Sequence, residues 1–370
     1  MRTDGVEPAP PTAGIVQRPV RDAGRPAVQR VTIRDVASLA GVSVATVSNA
    51  LNRPSIVAPD TLERVQEAIA RTGFVRSTAA GQLRGGKSRT VGVVVLDLAN
   101  PFFTDMVRGA EDVLRKHGYM LMVCSSDEST EQELHYLRLL EEHRVDGLLI
   151  TPAGHELREI AKLAAYGVPT VLLDRDANDE ALCSVTVDDI RGGQLAAHHL
   201  LELGHADIAF VNGPATIRQC ADRREGAMTA VRAKGRRPRR DVVFREIEVP
   251  ALTADHGERA VGALLALEPR PTAVICANDL LALGVLKGLA SARLAPPEDL
   301  AVVGYDDVTF ASMLSPALTS VRQPKYELGA TAARLLVEEA TGGAHEHRSI
   351  RFEPELVVRA SSRAPRAIRP

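Results

Sequence analysis

From residue 90 onward, the chain alternates short continuous runs of Val, Ile and Leu with longer segments of helical period. Continuous apolar runs are typical of strands buried on both faces, and strands separated by helices form parallel sheets with helices on each side. Two stretches begin alike, VGVVVLDLANPFF at Val91 and HADIAFVNGP at His205. The pattern therefore predicts an α/β body of two parallel-sheet lobes with a cleft between them. The predicted strands are Val91–Leu96, Tyr119–Cys124, Gly147–Ile150, Thr170–Leu173, Ile208–Val211, Ala273–Cys276 and Ala301–Gly304, and the clearest helices are Phe103–His117, Thr130–His143 and Gly192–Leu203.

The charge is divided unevenly along the chain. All 370 residues together carry a net charge of −2. Residues 30–89 hold nine basic and four acidic side chains, a net charge of +5, and residues 1–29 add +1, so the remaining 281 residues carry −8. Since one hydrophobic core rarely serves so long a chain, at least two domains are expected. A small basic module joined to a large acidic body points to a nucleic-acid partner.

The basic module predicts three helices. A three-residue turn that contains Gly41 separates the first two, which is the spacing of a helix-turn-helix. Capping residues mark the helix ends, because Ser and Thr favour the N-cap, Pro the first turn and Gly the position after the last turn. The predicted helices are Ile33–Ala40 after Thr32, Val44–Leu51 after Ser43, and Asp60–Arg71 between Pro59 and Gly73.

The N-terminal sequence and the pattern of cysteines indicate the cellular compartment of the protein. No run of about 18 apolar residues that could span a membrane occurs, so no membrane partner is expected. The Pro-, Ala- and Gly-rich N-terminus lacks the apolar region of a secretory signal, which favours a disordered tail and a cytoplasmic protein. No cysteine lies in a C-x-x-C pair, so reduced core thiols are favoured over disulfides or zinc, and neither a metal nor a cofactor is expected. The cysteines are Cys124, Cys183, Cys220 and Cys276.

An ordered set of short motifs runs through residues 30–360: TIRDVASLAGVSVATVSNALN, NPFF, RVDGLLI, LLDRD, LLELGHADIAFVNGP, ANDLLALG, PEDLAVVGYDD and PALTSVRQP. In this order they resemble the lactose-repressor (LacI/GalR) family of bacterial transcription regulators. The resemblance implies an all-α helix-turn-helix DNA-binding head and an α/β two-lobed effector domain similar to periplasmic binding proteins. It implies a homodimeric regulator, expected to be a repressor, that binds double-stranded pseudopalindromic operator DNA.

The resemblance also implies a domain order. Residues 1–29 are an N-terminal tail, 30–76 the DNA-binding head, 77–89 a hinge helix and linker, 90–360 the effector-binding and dimerisation domain, and 361–370 a C-terminal tail. Lobe 1 is expected at about 90–187 and 321–348, and lobe 2 at about 188–320 and 349–360.

In a helix-turn-helix the second helix enters the major groove. The family reads bases from positions that here hold Val44, Ala45 and Asn49. An Asn amide can bond adenine N6 and N7, whereas Val and Ala offer only apolar contact, for instance to a thymine methyl. For each Ser or Thr expected to contact the DNA backbone, helix capping alone is the alternative to phosphate binding. The expected phosphate contacts are Thr32, Ser43, Thr46, Ser48 and Asn52.

Residues 77–84, STAAGQLR, match the family's hinge helix, which inserts a leucine from each subunit into the minor groove. Leu83 is the matching residue, with Ala80 beside it. The sequence departs from the family at Arg76-Ser77, where Pro-Asn is usual, and at Gly81, since Gly in a helix costs about 1 kcal/mol relative to Ala. The hinge is therefore expected to depend on DNA for its order.

The same stretch contains GQLRGGKS, which satisfies the phosphate-loop pattern G-x-x-x-x-G-K-[ST]. That loop needs a strand before it and a helix after it. Here a short predicted helix precedes and the strand Val91–Leu96 follows. The segment is therefore interpreted as a linker and not as a nucleotide site.

Ligands of two-lobed parallel-sheet proteins bind in the cleft at the carboxyl ends of the strands. Carboxylates and an Arg can bond paired hydroxyls there, and Phe rings can pack on the apolar face of a sugar. The alternative for Asp174 and Asp279 is that they cap helices or hold loops. Ile217 and Gln219 are unlike the purine-binding members of the family, so a small-molecule effector that is a sugar or sugar derivative is favoured over a nucleobase. The expected effector residues are Asn100, Phe102, Phe103, Asp127, Asp174, Arg175, Arg223, Asn278, Asp279 and Asp306.

No catalytic signature such as G-x-S-x-G or H-E-x-x-H occurs, and His345 and His347 fall in a Gly-rich segment interpreted as a solvated loop. An enzyme is therefore not expected. A stand-alone solute-binding protein is the alternative, but it would need an export signal and would lack the basic head.

Overall fold

The computed structural model describes residues 31–74, 88–177, 182–234, 241–342 and 345–363. Residues 31–74 form one unit and residues 88–363 another. The predicted N-terminal tail, the hinge residues Ala80 and Leu83 and nearly all of GQLRGGKS lie outside the described residues. Among the described helices, none is long and apolar enough to cross a lipid bilayer.

Residues 31–74 confirm the predicted helix-turn-helix to within one residue at each helix end. The helices are α1 Ile33–Ala40, α2 Val44–Asn52 and α3 Pro59–Thr72, with a short 3-10 turn at Pro54–Ile56. Val36, Val47 and Val65, one from each helix, are fully buried against one another's helices in a small apolar core. Gly41 ends α1 with φ 66°, in the left-handed region that favours glycine.

The second unit consists of alternating strands and helices, as predicted. In chain order its described elements are β1 Thr90–Val95, α4 Pro101–Lys116, β2 Met120–Ser125, α5 Thr130–Glu142, β3 Gly147–Ile150, α6 Arg158–Ala165, β4 Thr170–Leu173, β5 Cys183–Val187, α7 Asp189–Glu202, β6 Asp207–Asn212, α8 Arg218–Lys234, β7 Val243–Glu248, α9 Ala254–Leu265, β8 Ala273–Cys276, α10 Asp279–Ser291, β9 Ala301–Asp306, β10 Thr319–Arg322, α11 Lys325–Ala340, β11 Ser349–Phe352 and β12 Glu355–Val357.

The described strands form two six-stranded sheets, one for each lobe. The first has the order β11-β5-β4-β3-β1-β2 and is wholly parallel. The second has the order β12-β10-β9-β8-β6-β7 and is parallel except for the β10–β12 pair. Helices cover the sheets, so the central strands are buried on both faces, which explains their continuous apolar sequences.

All seven predicted strands are present, but β5, β7, β10, β11 and β12 were not predicted. Their sequences CSVTV, VFREIE, TSVR, SIRF and ELV mix polar with apolar residues. Three of them, β7, β11 and β12, lie at sheet edges. An edge strand has one neighbour only, so its pairing partner and not its apolar content decides its structure.

Within the described residues the chain passes between the lobes three times, after β5, after β10 and after β11. The lobe boundaries differ slightly from the expected ones. The structure places Ser349–Phe352 in the first sheet, where it pairs with Cys183–Val187, whereas 349–360 was assigned to the second lobe. It places Val321 and Arg322 in the second sheet. The chain therefore leaves the first lobe for the last time after β11.

Helices α4 and α11 approach each other so closely that only glycine fits at the contact. A Cβ on Gly329 would lie 1.8 Å from the carbonyl oxygen of Met106, and a Cβ on Gly109 would lie 2.0 Å from that of Tyr326. Real Cβ atoms do not approach backbone atoms at such distances. The two glycines thus allow α11 to close the first lobe against α4.

Candidate functional site

Helix α2 presents one exposed face. Val44, Ala45 and Asn49 are exposed, whereas Val47 and Ala50 on the opposite face are buried against the other helices of the head. Val44 is 42% exposed, a large value for an apolar side chain. The three predicted base-reading residues therefore lie together on a surface that is free to enter a groove.

The predicted phosphate contacts are mostly engaged within the head. The Thr46 N–H donates to Ser43 Oγ at 3.0 Å, and the two hydroxyls are 2.9 Å apart. Thr32 donates from its N–H and its hydroxyl to Asp35 Oδ2, and Asn52 Nδ2 donates to the Ser48 carbonyl at 2.6 Å. Capping thus describes the role of Thr32 and Ser43 in the free head, whereas Asn52 bonds back to Ser48 within α2. Contact of the five residues with phosphate stays a prediction.

In the body, Arg223 and three carboxylates form a buried group, here called the Arg223 cluster: Arg223, Asp174, Asp189 and Asp306. Arg223 Nε donates to Asp189 Oδ1 at 2.8 Å and Nη1 donates to the Ala277 carbonyl at 2.7 Å. Its Nη1 lies 3.7 Å from Asp306 Oδ1. Each of the four side chains is nearly inaccessible to water. The cluster therefore holds one positive group among three acids in a region of low dielectric constant.

The guanidinium also stacks on an aromatic ring. Its central carbon lies 3.8 Å from the centroid of the Tyr305 ring, a cation–π geometry. The Tyr305 hydroxyl faces α7 at Gly192, where a Cβ would lie only 1.9 Å from that hydroxyl. Any larger residue at position 192 would displace the ring on which Arg223 rests.

Burial raises the pKa of all three carboxyls in the Arg223 cluster. For Asp306 burial outweighs the opposing effects of Arg223 and of hydrogen bonds from Asn100 and Gln323, and the pKa rises to about 6. Burial, with the neighbouring Asp189 carboxylate, raises the pKa of Asp174 well above its ordinary value. Burial would lower the pKa of Arg223, but the surrounding carboxylates raise it instead, so the guanidinium stays charged. The cluster thus holds three acids of raised pKa around one permanent cation.

Three hydrogen bonds, donated by two side chains of this region, join the lobes. Gln219 Nε2, on α8 of the second lobe, donates to the Asp174 carbonyl at 2.6 Å and to its Oδ2 at 3.0 Å. Asn100 Nδ2, at the start of α4 in the first lobe, donates to Asp306 Oδ2 at 3.3 Å. Opening or closing of the lobes would therefore break or form hydrogen bonds of the Arg223 cluster.

A cavity of about 140 Å³ opens beside the Arg223 cluster at the carboxyl ends of β4 and β5. Asp174 and Asp189 of the cluster line it, together with Gln219. Its described lining also includes the arginines Arg175, Arg218 and Arg351, and no aromatic side chain. Such a lining offers hydrogen-bond donors and acceptors to a polar ligand and gives no ring for stacking.

The structure brings together Asn100, Asp174, Arg223 and Asp306 of the predicted effector residues and places Arg175 at the cavity. It places the others differently. Phe102 and Phe103 are buried in the main core and meet edge to face, so they do not line this cavity. Asp127 is exposed and accepts a bond from the Ser125 hydroxyl at 2.7 Å.

Asn278 and Asp279 have structural partners. Asn278 caps α10 by accepting from the Leu281 N–H at 2.8 Å. Asp279 accepts from the Ser320 hydroxyl at 2.7 Å and from the Val308 N–H at 2.9 Å. For Asp279 the alternative that it holds loops is the one the structure supports.

Four residues of the site were not among the predicted ones: Asp189, Gln219, Tyr305 and Gln323. Asp189 follows β5, a strand that was not predicted. The place of Asp189 at the carboxyl end of a strand could therefore not be predicted from the sequence. Tyr305 lies in the motif GYDD, next to the predicted Asp306, and Gln323 lies in the motif VRQP. Only the tertiary packing shows that Asp189 and Tyr305 contact Arg223. It likewise shows that Gln219 bonds Asp174 and that Gln323 bonds Asp306.

Glu128 forms a further contact between the lobes. It lies just after β2 with φ 60°, and its carboxyl oxygens accept from the Leu252 N–H of the second lobe at 3.2 and 3.3 Å. Burial raises its pKa from 4.5 to about 7, with smaller contributions from Asp97 and Asp127. Glu128 therefore changes its charge near neutral pH at a contact between the lobes.

Replacement of Glu128 by Gln is expected to change the pH dependence of stability. Because the pKa of Glu128 is higher in the folded protein, its neutral carboxyl group stabilises the fold relative to the ionised one. This contribution to the free energy of unfolding is fully present below about pH 4.5 and is lost as the pH rises to about 7. The variant cannot ionise at this position, so it should not lose this contribution. The free energy of unfolding of Glu128→Gln minus that of the wild type should therefore be larger at pH 8 than at pH 5, by no more than about 3 kcal/mol. Urea unfolding at both pH values measures this, with the exposed Glu142→Gln as the control. Parallel pH profiles for wild type and Glu128→Gln would contradict the assignment.

A helix-turn-helix with an exposed face, followed in one chain by a two-lobed body with a polar cleft, is the architecture of DNA-binding regulators that respond to small molecules. Comparison with known proteins agrees. Residues 32–77 match the family model described as bacterial regulatory proteins of the lacI family. Residues 88–359 match periplasmic binding proteins and the sugar-binding domain of the LacI family. The chain belongs to the LacI family.

Individual relatives cover nearly the whole chain. The HTH-type transcriptional repressor PurR of Aliivibrio salmonicida is 34% identical over 89% of this chain and 98% of its own length. The lac repressor dimer bound to operator and the anti-inducer ONPF has a TM-score of 0.77 at 28% identity, covering 91% of this chain and 100% of its own. A CelR–cellobiose complex has a TM-score of 0.66 at 33% identity, covering 90% and 100%. These relatives are regulators, which confirms the expectation that the chain is not an enzyme.

Proposed function

We propose that the protein is a homodimeric transcriptional repressor whose operator affinity is set by a sugar or sugar derivative bound between the lobes. The observation that carries the proposal is the exposed face of α2 with Val44, Ala45 and Asn49, in a head that matches the family model. In this proposal Asn49 bonds an adenine in each half-site, and Val44 and Ala45 contact apolar groups beside it.

Charge and symmetry support the DNA partner. The net charge of +5 on residues 30–89 favours a duplex, while the acidic body limits indiscriminate binding. The lac repressor relative is a dimer bound to operator. A two-fold dimer of this chain would read a pseudopalindromic operator, one half-site for each head.

The chemistry of the cavity supports a carbohydrate. Its lining is rich in Asp and Arg, and these side chains can bond adjacent hydroxyls in pairs. Two relatives were solved with sugars, CelR with cellobiose and a regulator of Enterococcus faecium with ribose. A nucleobase, the alternative, would need a stacking face, and none of the described lining residues is aromatic.

The bonds between the lobes give the proposal its mechanism. Gln219–Asp174, Asn100–Asp306 and Glu128–Leu252 all cross the cleft. A ligand bound at Asp174 and Asp189 would change the balance between open and closed lobes, which is a coupling free energy between two sites. In the family's manner the change would reach DNA through the hinge with Ala80 and Leu83, which stays a prediction.

The test is operator binding by the full-length protein, using footprinting on DNA upstream of its own gene. Asn49→Ala is expected to weaken binding at least about fivefold, because a bidentate contact to a base contributes about 1–3 kcal/mol. Gln66→Ala, an exposed amide on α3, is the matched control and should leave binding unchanged. A footprint unaffected by Asn49→Ala would contradict the reading role of Asn49.

The same footprint tests the effector class. A panel of monosaccharides and disaccharides is added in parallel with a panel of free nucleobases, and unbound ligand is recovered to check that it is unchanged. A shift in operator affinity by a sugar, without turnover, is the expected result. A shift by a nucleobase alone would overturn the carbohydrate assignment and leave the repressor intact.

A further inference from the structure

Four side chains with metal-binding atoms meet at the edge of the first sheet, here called the Cys183 cluster: Cys183, Glu339, His345 and His347. Cys183 begins β5, Glu339 lies in the last turn of α11, and the histidines precede β11. One ligand atom from each of the four lies within 4.8 Å of every other. Three separate segments of the chain therefore deliver sulfur, nitrogen and oxygen donors to one point.

The distances are close to those of a tetrahedral site. Cys183 Sγ lies 3.1 Å from His345 Nε2 and 3.8 Å from His347 Nδ1, and His345 Nε2 lies 4.0 Å from Glu339 Oε2. With zinc–ligand bonds of about 2.0–2.3 Å, the ligand atoms of a tetrahedron are about 3.3–3.8 Å apart. All pairs lie within 4.8 Å of one another, so side-chain shifts of no more than about 1 Å would complete such a geometry.

The surroundings also favour a bound cation. Cys183 is fully buried, and Glu339 Oε2 is buried without a hydrogen-bond donor among the described residues. Burial raises the pKa of both groups, so their anionic forms are costly without a nearby positive charge. The side chain of His345 is only 13% exposed, so the expectation of a solvated histidine loop is wrong for this residue.

We propose that Cys183, Glu339, His345 and His347 form a zinc-binding site. One thiolate, two imidazoles and one carboxylate are the donors that zinc prefers, whereas Mg²⁺ and Ca²⁺ prefer oxygen alone. Four protein ligands leave no position for a substrate, so the site is structural. The absence of a C-x-x-C pair in the sequence is no obstacle, because the third and fourth ligands come from a distant loop.

The place of the site in the fold indicates what zinc would do. It would connect the end of α11 and the start of β5 to the loop before β11, an edge strand whose described neighbour is β5. Arg351 on that strand pairs with Asp176 at 2.7 Å and lines the effector cavity. Zinc would therefore stabilise the strand that carries one wall of the cleft, since the free energy of metal binding adds to that of folding.

Calorimetric titration of the tag-free, chelator-treated full-length protein with ZnCl₂ tests the proposal. One zinc ion per chain and a rise in the thermal unfolding temperature are expected. The double variant His345→Ala/His347→Ala should bind zinc at least about 100-fold more weakly, since changes even beyond the direct ligands cost about 10–100-fold. The matched control is His135→Ala/His143→Ala, two exposed histidines on or next to α5. Equal zinc affinity in the two double variants would overturn the proposal.

Cobalt spectroscopy tests the thiolate separately. With Co²⁺ in place of zinc, a sulfur-to-cobalt charge-transfer band is expected in the near ultraviolet, lost in Cys183→Ser and retained in Cys124→Ser. Circular dichroism of each variant confirms folding. Absence of the band from the wild type, or its loss in Cys124→Ser only, would contradict ligation by Cys183.

Discussion

Replacement of Arg223 by Met is expected to lower the free energy of unfolding by about 3–5 kcal/mol at pH 8. The variant leaves Asp174, Asp189 and Asp306 buried without the cation that they surround, and a buried charge without a partner is strongly destabilising. The Ala277 carbonyl also loses its donor. Urea unfolding followed by circular dichroism measures the change.

The pH dependence separates charge from packing. The carboxyls of the Arg223 cluster can become neutral at low pH, since the pKa of Asp306 is already about 6 with Arg223 present. The loss of stability should therefore be smaller at pH 5 than at pH 8. An equal loss at both pH values would mean that the side chain acts through packing.

Two further variants serve as controls. Arg224→Met removes the neighbouring arginine, which pairs with Glu246 nearer the surface, and should cost less than about 1 kcal/mol. In the double variant Arg223→Met/Asp189→Asn one of the unpaired carboxylates is also removed, so part of the stability should return. A double-mutant cycle over Arg223 and Asp189 gives their interaction free energy directly.

Replacement of Gly329 by Ala is expected to destabilise the protein by about 3 kcal/mol or more. The new methyl group would lie 1.8 Å from the Met106 carbonyl oxygen, and a helix backbone cannot move aside as a flexible side chain can. Helices α4 and α11 would have to separate, which exposes part of the first lobe's core. Differential scanning calorimetry of the full-length protein measures the effect.

Gly262→Ala is the matched control. Gly262 is also helical, on α9, but a Cβ there would meet nothing within 4 Å. Ala has the higher helix propensity, so this variant should be more stable by up to about 1 kcal/mol. The same substitution is thus expected to act in opposite directions at the two sites. A stability loss at Gly262, or none at Gly329, would show that helix packing does not control these positions.

The head could be predicted from sequence almost completely. Ser43, Gly41, Pro59 and Gly73 are local signals of helix ends, and each acts on the few residues beside it. The central strands could be predicted equally well, because burial on both faces requires continuous apolar runs in the sequence. The edge strands β7, β11 and β12 were missed, since their structure depends on a partner strand far away in the chain.

The sequence by itself determined the class of protein: a helix-turn-helix, a two-lobed parallel-sheet body and the order of their motifs. Only the tertiary structure decided which polar residues meet. It placed Asp189 and Tyr305 at Arg223, Phe102 and Phe103 in the core, and Cys183 beside His345. The physical reason is range. Helix caps and apolar periodicity act between residues a few positions apart, whereas charge pairing and metal ligation act between atoms a few ångströms apart, whatever their separation in the chain.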